Sequence, residues 1–127
     1  MLRALFIGLA GMAGTLCRYW LSGVLARRYG ETFPAGTLVV NVAGCLLIGF
    51  LFYMFQERYV AGPAARTVVL VGFLGGFTTF SSYGLQTFTL LQDGEFAYAA
   101  LNVVASNLLG LLMVWVGYTL AKMLGGF

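Results

Sequence analysis

Val71-Gly72-Phe73-Leu74-Gly75-Gly76-Phe77-Thr78-Thr79-Phe80-Ser81-Ser82-Tyr83 sits in the middle of an apolar segment that runs from about Thr67 to Leu91. The segment is long enough to cross a bilayer, which takes ~20 residues. Its centre is a poor recipe for a continuous helix, because three glycines and four hydroxyl residues fall within the stretch. Glycine costs ~1 kcal/mol relative to alanine inside a helix, and Ser and Thr compete for backbone hydrogen bonds. Backbone groups freed at membrane depth are tolerated only where protein or a polar cavity satisfies them. Two readings stay open on chemistry alone. One is a glycine-rich packing face whose hydroxyls bond back to their own helix. The other is a discontinuous helix that offers carbonyls and amides to an ion.

The rest of the chain supports a membrane setting. Of 127 residues, 61% are hydrophobic and 9% charged, against about 25% charged in a soluble domain. Four spans fit, at about 2–26, 37–55, 67–91 and 96–124. The expected fold is therefore all-α and integral to the membrane: one four-helix domain whose third helix breaks mid-membrane. The first span runs on without a small-residue cleavage site, as a span and not a signal peptide. Cys17 and Cys45 lie inside spans and are expected to be small buried hydrophobes, with a disulfide as the alternative.

Charge excludes several functions. Seven Lys/Arg against four Asp/Glu leave too little basic surface for nucleic acid. The chain has no histidine, which removes the usual general base, and no nucleophile–base pair or metal cluster can be assembled for an enzyme. A nucleotide-binding motif is also lacking. Glu31, Glu57, Asp93 and Glu95 all fall in connecting loops. Cation pathways and proton relays generally use carboxylates within the membrane. Hydroxyls, amide N–H groups and the positive edges of aromatic rings serve anions. The polar inventory thus tilts toward an anion or a neutral solute.

The polar residues at depth form a sparse set. Arg18 shares a face of span one with Gly11, Thr15 and Ser22. Snorkelling or structural pairing is one role for it, and anion attraction is another. Asn41 lies four residues past Thr37 in span two, and Asn102 and Ser106 share a face of span four. Phe80 and Tyr83 place two rings on one face beside Ser81 and Ser82. Core or lipid contact is the alternative for that aromatic pair.

Orientation is weakly specified. With four spans, Arg3, Arg58, Arg66 and Lys122 face Arg27 and Arg28 across the membrane. The positive-inside rule needs a clearer excess, so insertion in both directions is permitted and an antiparallel dimer becomes possible. Small residues at Gly8, Gly11, Thr15, Gly44, Gly110 and Gly117 allow close helix approach, within one chain or between two.

Three motifs carry a family resemblance over the whole chain. Span one has Gly14 through Arg18, similar to G-x-x-x-R. Span two has Gly36-Thr37-Leu38-Val39-Val40-Asn41-Val42-Ala43-Gly44, like G-T-L-x-x-N-x-x-G. Span three has Gly72-Phe73-Leu74-Gly75-Gly76-Phe77-Thr78-Thr79-Phe80-Ser81, close to G-F-x-G-G-x-T-T-F-S, and this is the specific one. Asn102, Ser106 and Gly110 fit a looser pattern. The sequence resembles the Fluc (CrcB) family of fluoride channels.

The resemblance implies a passive fluoride-selective channel, an antiparallel dual-topology homodimer with two pathways, in a microbial inner membrane. It implies a structural Na⁺, not transported, held by the Gly75 and Thr78 carbonyls of both subunits. It also implies ring edges from Phe80 and Tyr83 along the pathway. Asn41 would sit in an aqueous vestibule, with donors from Ser81, Ser82, Asn102 and Ser106. Three departures stand out: Tyr83 where the family usually has phenylalanine, Gln86 where it often has glutamate, and Gly84 for a common serine. The competing classes are a small multidrug-type transporter, disfavoured because no carboxylate lies in a span, and a non-conducting assembly subunit.

Overall fold

A computed structural model describes residues 1–125. Four apolar helical spans are present, Leu2–Tyr29, Ala35–Gln56, Pro63–Gln92 and Phe96–Gly125, each long enough to cross a membrane. The first, second and fourth are the continuous helices α1 (Leu2–Tyr29), α2 (Ala35–Gln56) and α6 (Phe96–Gly125). The third comprises α3 (Pro63–Thr67), a π-helical turn (Val68–Phe73), α4 (Leu74–Phe77) and, after an interruption, α5 (Phe80–Gln92).

α1 runs to Tyr29, past the expected end near Ala26, and so takes in Arg27 and Arg28. Cations in a last turn are favoured by the negative end of the helix dipole. Gly30 stops the helix at φ 82°, a left-handed conformation natural to glycine. Pro63 opens α3 at the first helical position, where its missing N–H costs nothing.

The interruption falls at Thr78 and Thr79, whose ψ values of 158° and 118° are extended. β-Branched side chains favour such backbone. Thr79 then caps α5, its Oγ1 accepting from the Ser82 N–H at 3.3 Å, as N-cap threonines do.

α1 packs on α2 and on the Val68–Phe77 half of the third span, α2 runs along α6, and α5 leans on α6. The buried core, Val40, Leu74 and Phe77, lies at the break, ringed by Leu21, Ala43, Leu51, Leu70 and Phe73. Phe73 and Phe77 stack with centroids 6.0 Å apart. Glycines set the close approaches. A Cβ at Gly14 would overlap the Phe73 carbonyl, one at Gly76 the Gly11 carbonyl, and one at Gly117 the Leu46 carbonyl. Most of the small-residue stripe is therefore consumed inside the chain. Gly8 and Gly75 meet nothing within 4 Å.

The two ends of the bundle are distinct. At one end the first and third loops meet, where the Phe33 and Tyr98 rings lie 5.7 Å apart. At the other, Arg58 donates to the Gly125 carbonyl and Arg66 to Gln56 Oε1. Cys17 faces outward and Cys45 is half-buried, both as free thiols. The expectation of buried thiols thus fails at Cys17, because its side of α1 has no neighbour within the chain.

Candidate functional site

The break in the third span leaves backbone groups without helical partners, and α1 and α2 reach across to use several of them. The Asn41 side chain grips Thr79 twice: Nδ2 donates to the Thr79 carbonyl at 2.9 Å, and Oδ1 accepts from its N–H at 2.8 Å. An unsatisfied backbone group in a membrane interior costs several kcal/mol, so this amide is a structural brace as well as a lining residue. Arg18 donates from Nε to the Gly76 carbonyl at 3.1 Å. That bond is a pairing to backbone within the chain. Ser22 returns its hydroxyl to the Arg18 carbonyl at 2.6 Å.

Two groups of opposite polarity remain at the same depth. Among the described residues no backbone carbonyl accepts from the Phe80 or Ser81 N–H, so the start of α5 presents amide hydrogens and the positive end of a dipole. On the other side, the carbonyls of Gly75 and Thr78 lack their usual donors. The Thr79 N–H goes to Asn41, and the Ser82 N–H goes to Thr79 Oγ1. Amides suit an anion and carbonyls suit a hard cation. The site offers both.

Cavities lie on either side of this point. One, of about 670 Å³, opens between the first and third loops and is lined by Arg18, Ser22, Ser82 and Gln86, with Glu31, Asp93 and Glu95 around its mouth. The other, of about 390 Å³, is lined by Asn41, Gly75, Phe80, Tyr83, Ser106 and Asn107. Thr79 lines both. The two cavities therefore approach one another at the threonine that caps α5.

Phe80 and Tyr83 share a face as their spacing implies, with centroids 5.4 Å apart and a 46° tilt. Phe80 is 83% exposed, so apart from its contact with Tyr83 the chain leaves the ring largely uncovered. Ser81 is exposed, its hydroxyl 3.5 Å from Thr79 Oγ1. Thr79 Oγ1 and Ser82 Oγ lie 3.0 Å apart. Asn102 lines neither cavity. It is buried and donates to Thr87 Oγ1 at 2.9 Å, and Thr87 in turn donates to the Tyr83 carbonyl at 2.8 Å. Its amide ties α6 to α5. Ser106 Oγ leans 3.4 Å from Asn102 Oδ1 and lines the smaller cavity.

Sequence reasoning missed Thr87 and Asn107, which donates to the Tyr83 hydroxyl at 3.3 Å. Gln86, noted in the sequence as a departure, has its Oε1 buried without a partner. Among the described residues no group of three Cys, Asp or Glu is placed to hold a metal.

Four apolar spans, one broken at a polar junction between two cavities, define a polytopic membrane protein built to bring polar groups into the bilayer. The model of the family described as CrcB-like protein, Camphor Resistance (CrcB), matches residues 5–118. The chain belongs to the CrcB family, one of ion channels and not of enzymes. It is 50% identical over 119 residues to the "Fluoride-specific ion channel FluC" of Opitutus terrae, covering 92% of this chain and 90% of that one. It is 42% identical to the protein of that name from Geotalea daltonii, covering 93% and 95%. With the one from Methylococcus capsulatus it is 48% identical, over 93% of this chain and 52% of the longer relative.

Proposed function

We propose that this protein is a passive, fluoride-selective channel that exports fluoride from the cytoplasm of a microbe across its inner membrane. The observation that carries this reading is the junction at Thr79, where two cavities meet beside unpartnered amide hydrogens of α5. The relatives' names support the choice of ion.

The chemistry suits fluoride. The ion is small and strongly hydrated, so its lost water must be replaced by closely spaced donors. Ser82 and Arg18 line the approach on one side of the junction, and Asn41 and Ser106 line the other. The Phe80 and Tyr83 rings add positive edges. The described spans hold no carboxylate, which accords with passive flow rather than proton-coupled exchange.

The working unit in this reading is an antiparallel homodimer with two pathways. The exposed Phe80 ring, lining one cavity with a Gly75 that has nothing within 4 Å of a Cβ position, supports a second copy against that face. A structural Na⁺ on the dimer axis belongs to the same proposal. The Gly75 and Thr78 carbonyls of each subunit fit such an ion, because both have lost their usual amide donors. A bound Na⁺ would neutralise facing carbonyl dipoles and fix the interface. Fluoride itself moves among the donors described above.

Protein reconstituted into liposomes loaded with fluoride or chloride tests the proposal through efflux at ion-selective electrodes. Rapid fluoride loss with negligible chloride loss is expected. Well-folded protein that releases no fluoride would return the chain to the transporter or assembly-subunit alternatives. Phe80→Ile is expected to cut fluoride efflux severely while leaving the assembly intact, and unchanged efflux would take the ring out of the pathway.

A further inference from the structure

Tyr83 carries the one phenol hydroxyl that lines the smaller cavity, and it arrives there with a partner already attached. Asn107 Nδ2 lies 3.3 Å from that oxygen and 2.8 Å from the Val103 carbonyl. The second contact settles which way the amide points. A carbonyl can only accept, so the nitrogen and not the oxygen of Asn107 must face Val103. The same NH₂ group then donates its other hydrogen to Tyr83. The phenol oxygen is thereby the acceptor in this pair, and its own O–H is left free to donate elsewhere.

We infer that Asn107 is a positioning residue that commits the Tyr83 hydroxyl to donate into the cavity, making it a specificity-determining contact for a small anion. The inference rests on the fluoride-channel reading and deepens it. A hydroxyl that accepts one hydrogen bond donates a stronger one, so the amide also sharpens the phenol as a donor. The placement is held from two sides. α6 fixes the Tyr83 backbone through Asn102 and Thr87, and fixes the side chain through Asn107. The neighbouring lining groups, Asn41, Phe80 and Ser106, give the hydroxyl company of the right kind. Asn41 has both ends of its amide engaged at Thr79. Ser106 Oγ donates to Asn102 Oδ1, Thr78 Oγ1 to the Leu74 carbonyl and Thr79 Oγ1 to Ser82 Oγ, which leaves Tyr83 as the lining hydroxyl whose hydrogen has no acceptor among the described residues.

The test is a double-mutant cycle on fluoride efflux from liposomes, read as the internal fluoride concentration that gives half-maximal rate. Wild-type protein comes first, and absence of efflux there would overturn the channel reading itself. With a conducting wild type, Tyr83→Phe and Asn107→Ala are each expected to raise the half-saturating concentration about three- to ten-fold, the effect of one hydrogen bond. The double variant should be no worse than either alone, because Asn107 acts only through the hydroxyl. Separate, multiplying effects would overturn the inference, as would a Tyr83→Phe variant indistinguishable from wild type. Asn107→Leu keeps the side-chain volume and replaces Asn107→Ala if the smaller residue prevents folding. Should neither fold, a shifted Tyr83→Phe supports the inference and an unshifted one overturns it.

Discussion

Asn41 shows how one side chain can hold a helix open. Its amide supplies the acceptor and the donor that Thr79 would otherwise find in a continuous helix. Asn41→Ala leaves both groups of Thr79 without partners, and a loss of about 2–4 kcal/mol is expected, read as a lower unfolding midpoint in detergent. Asn41→Asp keeps the acceptor and loses the donor, so it should fall between the two. The Asn41 motif was legible in sequence, but the brace was not. An amide in a span announces that it needs a partner, while the partner 38 positions away depends on the register of two helices. Asn107 escaped for a related reason. Spacing arguments follow i and i+4 faces, and Asn107 sits one residue beyond the Asn102–Ser106 face. Only the direction of the Tyr83 ring brings it into use.

Among the elements, α1 packs closely against the Val68–Phe77 half of the third span. Gly14 and Gly76 are where backbone meets backbone. Gly14→Ala would drive a methyl group into the Phe73 carbonyl, at a cost of about 3 kcal/mol, and is expected to abolish folded protein on size exclusion. Gly23→Ala in the same helix meets nothing within 4 Å and should be neutral or stabilising by up to ~1 kcal/mol. Gly75→Val is different again. It has room in the single chain, so a disturbance of Na⁺ dependence or of assembly is expected, measured by efflux with and without Na⁺. If that variant keeps wild-type efflux and Na⁺ dependence, the carbonyl site is misplaced. The break itself could be read from Gly75, Gly76, Thr78 and Thr79, because composition alone disfavours a helix there. The π-helical turn could not: Val68–Phe73 carries no local signal for it, and the Leu74 N–H reaches back to Val69 in a turn that α1 packs on.

At the scale of the whole molecule, charge is distributed against the proposed cargo. Glu31, Asp93 and Glu95 surround the mouth of the larger cavity, and carboxylates repel an incoming anion. Neutralising all three with Gln, Asn and Gln is expected to raise fluoride efflux roughly two- to ten-fold at low ionic strength. The gain should vanish near ~0.5 M salt, where screening shortens to a few ångströms. That these loops share one end followed from counting spans, whereas their convergence on a single mouth required the fold. The wide turn at Val68–Phe73 has a consequence for the length of the chain itself. A turn of this kind accommodates one residue more than an α-helix requires. Removing a single residue there would let the turn tighten to α geometry, with the Thr78–Thr79 junction still facing Asn41 and Arg18. The same deletion in the middle of α2 would swing everything beyond it by about 100°. The gene is thus expected to tolerate a lost codon at one place in its spans and to be intolerant of it elsewhere.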